Sequence, residues 1–255
     1  MVLSSLSLVF YSLVLFNSSL FNYDSLFYAF IVSTPLFISR ELKRHIADIE
    51  DKGHDNFLVQ IIYGNLLGDL KAEKQRHCTR LGFTQSIIHK AYLMHLWSIF
   101  SKAGYCSSNE PQIKAHFDKR TMKYTYSLSF WTYSFVGFNK IYSEFYSTGK
   151  KRVPANIMEH LTAVGLAYWI MDDGSRAADG YGVRISTLDF TEQDIDLLIS
   201  VLQIKFNLSA TKHKGYVDKK GVQRYIISIY ERSVPHLQDL VKEFMIPEML
   251  YKIRL

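Results

Sequence analysis

"LAYWIMDDGS", residues 166–175, runs through six apolar residues into two adjacent carboxylates and a glycine. Its spacing predicts a buried helix with Asp172 and Asp173 at the carboxyl end. That end carries the negative pole of the helix dipole, which favours cations and disfavours acids. A chain that puts two carboxylates there needs positive charge close by.

A second stretch has the same construction. "VQIIYGNLLGDLKAE", residues 59–73, is helical by its apolar spacing and brings Asp69 near its end. Gly64 and Gly68 lie four apart on one face, where small residues let another backbone approach. When Asp69 is matched to Asp173, the segments that follow correspond: strand, helix, strand, helix, then a lysine near a proline. "KKRVP" supplies Lys151 and "IPEMLYKI" supplies Lys252. An internal repeat of this kind predicts two units of one architecture, 40–154 and 155–255.

If the two motif helices pack side by side, Asp69 and Asp173 converge. Two carboxylates and two negative helix ends repel one another unless cations lie between them. Oxygen ligands suit a hard cation, Mg²⁺ (or Mn²⁺), with phosphates completing its shell. Phosphodiester hydrolysis follows from such a site, and a lysine from each half can neutralise developing charge. A glycosidase reading of Asp172 and Asp173 fails, because adjacent helical residues point about 100° apart and cannot flank one bond.

The strands alternate. In "KYTYSLSF" the residues Tyr124, Tyr126, Leu128 and Phe130 form an apolar face, and Lys123, Thr125, Ser127 and Ser129 form the other. "GVRIST" sets Val183 and Ile185 against Arg184 and Ser186. "RYIISIY" sets Tyr225, Ile227 and Ile229 against Arg224, Ile226, Ser228 and Tyr230. Between these last two lies a hairpin, "KHKGYVDKKGVQR", with Lys212, Lys214, Lys219, Lys220 and Arg224. Antiparallel sheets with one apolar face and one basic, hydroxylic face suit a DNA-reading surface. "FTEQDIDLLISVLQIKF" places Ile195, Leu198, Ile199, Leu202 and Phe206 on one stripe, with Thr191 and Asp194 spaced as a capping box. Trp97 and Trp131 are assigned to the core.

Composition agrees with this outline. The chain has 255 residues, 48% of them hydrophobic, and a net charge of +6, which suggests a polyanionic partner. Residues 1–39 carry one charge, Asp24, so all 30 basic side chains lie from Arg40 onward. That apolar, Ser-rich stretch lacks the basic residues of a secretory or mitochondrial import signal. It is expected to be a leader outside the folded body or a membrane-associated tail, with the boundary at Pro35–Arg40 and any membrane contact confined to 1–38. Cys78 and Cys106 form no CxxC pair and the nine histidines no HExxH, which argues against zinc and against a disulfide framework.

"YGNLLGDL" and "LAYWIMDDG" resemble the two signature motifs of the LAGLIDADG homing endonucleases. The similarity runs from about Phe57 to Leu255, and "KKRVP", "STLDFTEQDIDLL" and "IPEMLYK" resemble, in order and spacing, the branch that includes the yeast mitochondrial omega-intron endonuclease. The resemblance implies an α+β fold of two pseudo-symmetric αββαββα halves, whose antiparallel sheets form a saddle over double-stranded DNA with a long target site. It implies a monomer in which Asp69 and Asp173 bind divalent metal, with Gly68 and Asp172 supplying backbone carbonyls and Lys151 and Lys252 as active-site lysines. It also implies an organellar intron reading frame, mitochondrial or alternatively chloroplast, fused to upstream exon coding. The same scaffold serves maturases, so the intron's own RNA is a second candidate partner. Two positions depart from the pattern: Leu70 stands where glycine is common, and Asn65 fills a usually apolar slot, where it is expected to loosen the helix interface.

Overall fold

The computed structural model describes residues 56–177 and 181–255. The apolar stretch 1–39 and the boundary at residue 40 lie outside the described residues. Among the described residues no helix is long and apolar enough to cross a membrane.

The first half contains α1 (Asn56–Leu67), β1 (Lys71–Lys74), β2 (Thr79–Ser86), α2 (Lys90–Lys102), β3 (Ile113–Asp118), β4 (Lys123–Trp131) and α3 (Phe138–Phe145). After a short α4 (Ile157–His160), the second half repeats the pattern. It contains α5 (Ala163–Asp173), β5 (Gly174–Arg176), β6 (Val183–Ile185), α6 (Glu192–Ile204), β7 (Ala210–Val217), β8 (Gln223–Ile229) and α7 (Val234–Val241), then a 3₁₀ segment, Pro247–Ile253. The sheets are antiparallel and share one order, β1-β2-β4-β3 and β5-β6-β8-β7. The twofold αββαββα repeat expected from the sequence is therefore present.

α1 and α5 form the seam between the halves. Every residue from Val164 to Met171 is buried, as are Ile61 to Leu67, so both helices are apolar nearly all round. The backbones meet at two glycines: a Cβ on Gly64 would lie 2.2 Å from the Gly165 carbonyl oxygen. The place of the departing Asn65 corrects the expectation of a loosened interface. Asn65 is 1% exposed, and its amide donates to the Tyr92 hydroxyl at 2.7 Å and to the Asp172 carboxylate at 2.8 Å. Across a seam that offers acceptors, a buried amide joins the halves.

Helices cover one face of each sheet. Leu81, Phe83, Leu128 and Phe130 are buried beside Leu93, Leu96 and Phe100 of α2, with the Phe83 and Phe130 rings stacked at 4.6 Å. In α6, Ile195, Leu198 and Leu202 are buried, and the Thr191–Asp194 capping box forms as expected. Arg152 adds an ion pair at 2.6 Å to Asp194, tying the link between the halves to this helix.

Two assignments are corrected. Trp131 is 40% exposed and lies on the uncovered face, where its ring covers Gly82 and the Arg80 guanidinium sits 4.3 Å above it. Tyr124 and Tyr126, on the same face as buried Leu128, are 63% and 47% exposed. The strands β3 and β4 outrun the helix that covers them.

Candidate active site

The seam delivers the acids. Asp69 lies two residues past the end of α1, and Asp173 is the last residue of α5. Asp172 turns into the seam instead. One of its carboxylate oxygens accepts from the Asn65 amide and, at 3.1 Å, from the Asp69 backbone N–H. Asp172 thus fixes the backbone of Asp69 and closes the end of the neighbouring motif helix, a position one residue from Asp173 but with a different task.

Both sequence-predicted lysines arrive at the same place. Lys151 donates to the carbonyls of Gly68 and, at 3.0 Å, Leu70. Lys252, 4% exposed, donates to the carbonyls of Met171 and, at 2.9 Å, Asp172. Each ammonium therefore satisfies the unpaired carbonyls at the end of one motif helix, where the dipole favours a cation. This answers the question raised by the acids: each negative helix end holds its own lysine. The Gly68 and Asp172 carbonyls expected to face metal are thus engaged by Lys151 and Lys252.

Charge here is only partly balanced. Burial, then the neighbouring Asp172 and Asp69, push the Asp173 carboxyl up to about 8, against the pull of Lys151 and Lys252. Burial and then Asp69 push Asp172 to about 7. Burial lowers both lysines, and the carboxylates oppose that shift. With the carboxyls deprotonated, Asp69, Asp172 and Asp173 outnumber Lys151 and Lys252, and a site of oxygen donors with that surplus is one that a hard divalent cation fits. Among the described residues no group of three His, Cys, Asp or Glu side chains forms a ready-made metal cage. A cation with much of its shell left for phosphate and water suits such a site.

Gln85, at the end of β2, was not anticipated from the sequence. Its amide donates to the Asp69 carboxylate at 2.9 Å and to Asp172 at 3.3 Å. Strand alternation in "TRLGFTQS" carried the signal, since it puts Gln85 on the inward face with Leu81 and Phe83. Nothing short of the register showed which carboxylates it would meet.

The candidate DNA contacts divide. Lys123, Thr125 and Ser127 lie on the uncovered face of the first sheet, opposite Asp118, His116 and Lys114. Arg184 and Ser228 are paired on the uncovered face of the second sheet, where Ser228 is buried by its neighbours. Ser186 follows β6, with its N–H on the Asp173 carbonyl at 3.0 Å. Lys219 and Lys220 are exposed at the β7–β8 turn. Arg224 is paired with Asp218 at 2.6 Å. Lys212 is corrected: it lies across from buried Ile227 and binds Glu192 at 2.6 Å and Asp196 at 2.9 Å on the covering helix α6. Lys214 pairs with Tyr225, two residues along, and so starts from the same covered face. Their place in a basic hairpin did not show this, because the register of β7 against β8 is not legible in the sequence. The uncovered faces also carry Lys71, Arg80, Thr84, Lys114 and Thr211, none of them anticipated.

Two motif helices joined through glycines, an acid at each end, and paired sheets with polar faces define a two-motif, single-chain nuclease scaffold. The model of the LAGLIDADG DNA endonuclease family matches residues 59–237, and the chain belongs to that family. It is 33% identical over 207 residues to the cytochrome b mRNA maturase bI2 of Debaryomyces hansenii, covering 80% of this chain and 76% of that protein. It is 35% identical over 164 residues to the intron-encoded endonuclease ai4 of Dictyostelium discoideum, covering 62% of this chain and 98% of that one. The homing endonuclease I-WcaI bound to its DNA recognition sequence superposes with a TM-score of 0.69 at 25% identity, covering 78% of this chain and 86% of the other.

Proposed function

We propose that this chain is a site-specific, Mg²⁺-dependent homing endonuclease that cuts both strands of a long duplex target, acting as a monomer encoded in an organellar intron. The observation that carries this reading is the convergence of Asp69 and Asp173, each beside a lysine held on helix-end carbonyls, at the seam of two matching halves. Asp69 and Asp173 would hold the divalent cation, with the Gly68 and Asp172 carbonyls, shared with the lysines, at its edge. Bound there, the cation supplies an activated water and stabilises the leaving oxygen.

The chain's own residues do the rest. Gln85 orients the Asp69 carboxylate, and the Asp172 side chain fixes the Asp69 backbone. Lys151 and Lys252 bring positive charge to where the scissile phosphate gains negative charge. The uncovered sheet faces form the saddle, with Lys123, Thr125, Ser127 and Arg184 toward the groove and Lys219 and Lys220 toward phosphates. The body is taken as 40–154 and 155–255, with 1–39 as an exon-derived or membrane-associated extension and the mitochondrion as the compartment, in keeping with relatives named cytochrome b mRNA maturases.

The test uses a target recovered from a duplex library spanning the intron-free junction. Asp69→Asn and Asp173→Asn should each abolish cutting in Mg²⁺ and leave specific binding intact. Full cutting by Asp173→Asn would overturn the reading. The names of the mRNA maturase relatives favour a second role, binding of the intron's own RNA.

A further inference from the structure

The hairpin β3–β4 has two different faces. Opposite residues in an antiparallel pair share a side, so Lys114/Ser127, His116/Thr125 and Asp118/Lys123 form the polar face proposed for the duplex. Ile113/Leu128, Ala115/Tyr126 and Phe117/Tyr124 form the reverse. Among these pairs the reverse face is buried only at Leu128. Beyond it, Tyr126, Tyr124, Phe117 and Ile113 are 47%, 63%, 44% and 52% exposed. Phe117 and Tyr124 lie ring to ring at 5.0 Å with their planes 50° apart.

In the second half the place of Leu128 is taken by Tyr225, and nearer the turn Val217, paired with Gln223, is 59% exposed with no ring opposite it. Lys212 lies over the Tyr225 ring at 5.5 Å and is held there by Glu192 and Asp196. An exposed ring pair at this place therefore belongs, among the described residues, to the first half and is not imposed by the architecture. Its chemistry is specific. The exposed surface is mainly aromatic, and the turn beside it carries Lys119 and Arg120, both exposed. The turn's one carboxylate, Asp118, is occupied by the Arg120 N–H at 2.8 Å and the Thr121 hydroxyl at 3.0 Å.

We infer that the reverse face of β3–β4, centred on Phe117, Tyr124 and Tyr126, is a stacking platform for single-stranded nucleic acid, the occupant being an unpaired segment of RNA. Exposed rings stack on unpaired bases, and neighbouring cations follow the phosphates. A DNA duplex cannot use the rings in this way, since its bases are stacked on one another, and its proposed seat is the opposite face. The inference deepens the RNA-binding reading and rests on it. It is independent of the cleavage centre.

The experiment measures anisotropy of a labelled oligouridylate of about 12 nucleotides, an oligodeoxythymidylate of equal length and a random-sequence DNA duplex. The double variant Phe117→Thr/Tyr124→Thr keeps strand-forming residues at two exposed positions. It should bind oligouridylate about tenfold or more weaker, with duplex binding unchanged. Phe117→Tyr/Tyr124→Phe keeps both rings and should bind as the parent does. Unchanged oligouridylate binding by the threonine variant would overturn the platform and leave RNA binding standing elsewhere. Failure of the parent to bind oligouridylate would overturn both. Equal or tighter binding of oligodeoxythymidylate would overturn RNA as the occupant. Equal loss of duplex binding, or a parent dimer in light scattering that the threonine variant abolishes, would likewise overturn the inference.

Discussion

Gln85 and Thr187 hold equivalent places in the two sheets, and of the two only Gln85 reaches an acid of the site. Gln85 lies opposite Leu128 and donates to Asp69 at 2.9 Å. Thr187, two residues past Ile185, donates its hydroxyl instead to the Tyr225 carbonyl at 2.9 Å. The two strands of a target therefore meet unequal sites. A nicked duplex is expected to accumulate before full cleavage, seen with separate labels on each strand. Gln85→Thr should slow the cut of one strand by about 10- to 100-fold, the usual range when a residue that orients a metal ligand is removed. Equal slowing of both strands would argue against this asymmetry.

The acids should make the metal-free protein less stable as pH rises. Asp173 has a folded value of about 8 against an ordinary 3.8, so the folded state keeps a proton that the unfolded state releases. Stability from this group is fully present below about pH 4 and is lost as pH rises through about 8. Asp172, raised to about 7, acts in the same direction. Thermal melts in chelator across this range should show the decline, and Asp173→Asn should flatten it. Added Mg²⁺ should restore stability most at the alkaline end, since it binds the deprotonated form.

Salt dependence separates the lysines. Lys219→Ala/Lys220→Ala should reduce the slope of log K against log salt by nearly one for each phosphate left unneutralised. Lys212→Ala should leave that slope unchanged and lower the melting temperature, because its partners are Glu192 and Asp196. A flattened slope in the Lys212 variant would move the duplex to the other side of the second sheet.

The seam should tolerate no added methyl at Gly64. A Cβ there meets the Gly165 carbonyl at 2.2 Å, and backbone cannot give way as a side chain can. Gly64→Ala should cost about 1–3 kcal/mol or more in denaturant unfolding. Gly165→Ala should be milder, since its nearest neighbour is a Leu161 methyl at 3.0 Å, with the Gln60 carbonyl at 3.1 Å.

Local pattern determined the two motif helices, their terminal acids, the capping box of α6 and the doubling of the chain. Each of these depends on residues a few positions apart, or on one pattern occurring twice, and both are visible in a linear string. The close approach at Gly64 was legible for the same reason. Tertiary structure alone decided which side of a strand is covered and what stands opposite. Alternation says that Lys212 and Ser228 lie on some face of their strands, but the pairing of Lys212 with Ile227 is what sends the lysine to α6. Register likewise brought Gln85 to Asp69 and Trp131 under Arg80. Asn65 looked like a flaw in an apolar helix until the seam supplied Tyr92 and Asp172 as its acceptors. A pleat repeats every two residues whichever face is buried, and the partner of a buried polar group comes from a distant part of the chain, so these choices are made only when the elements pack.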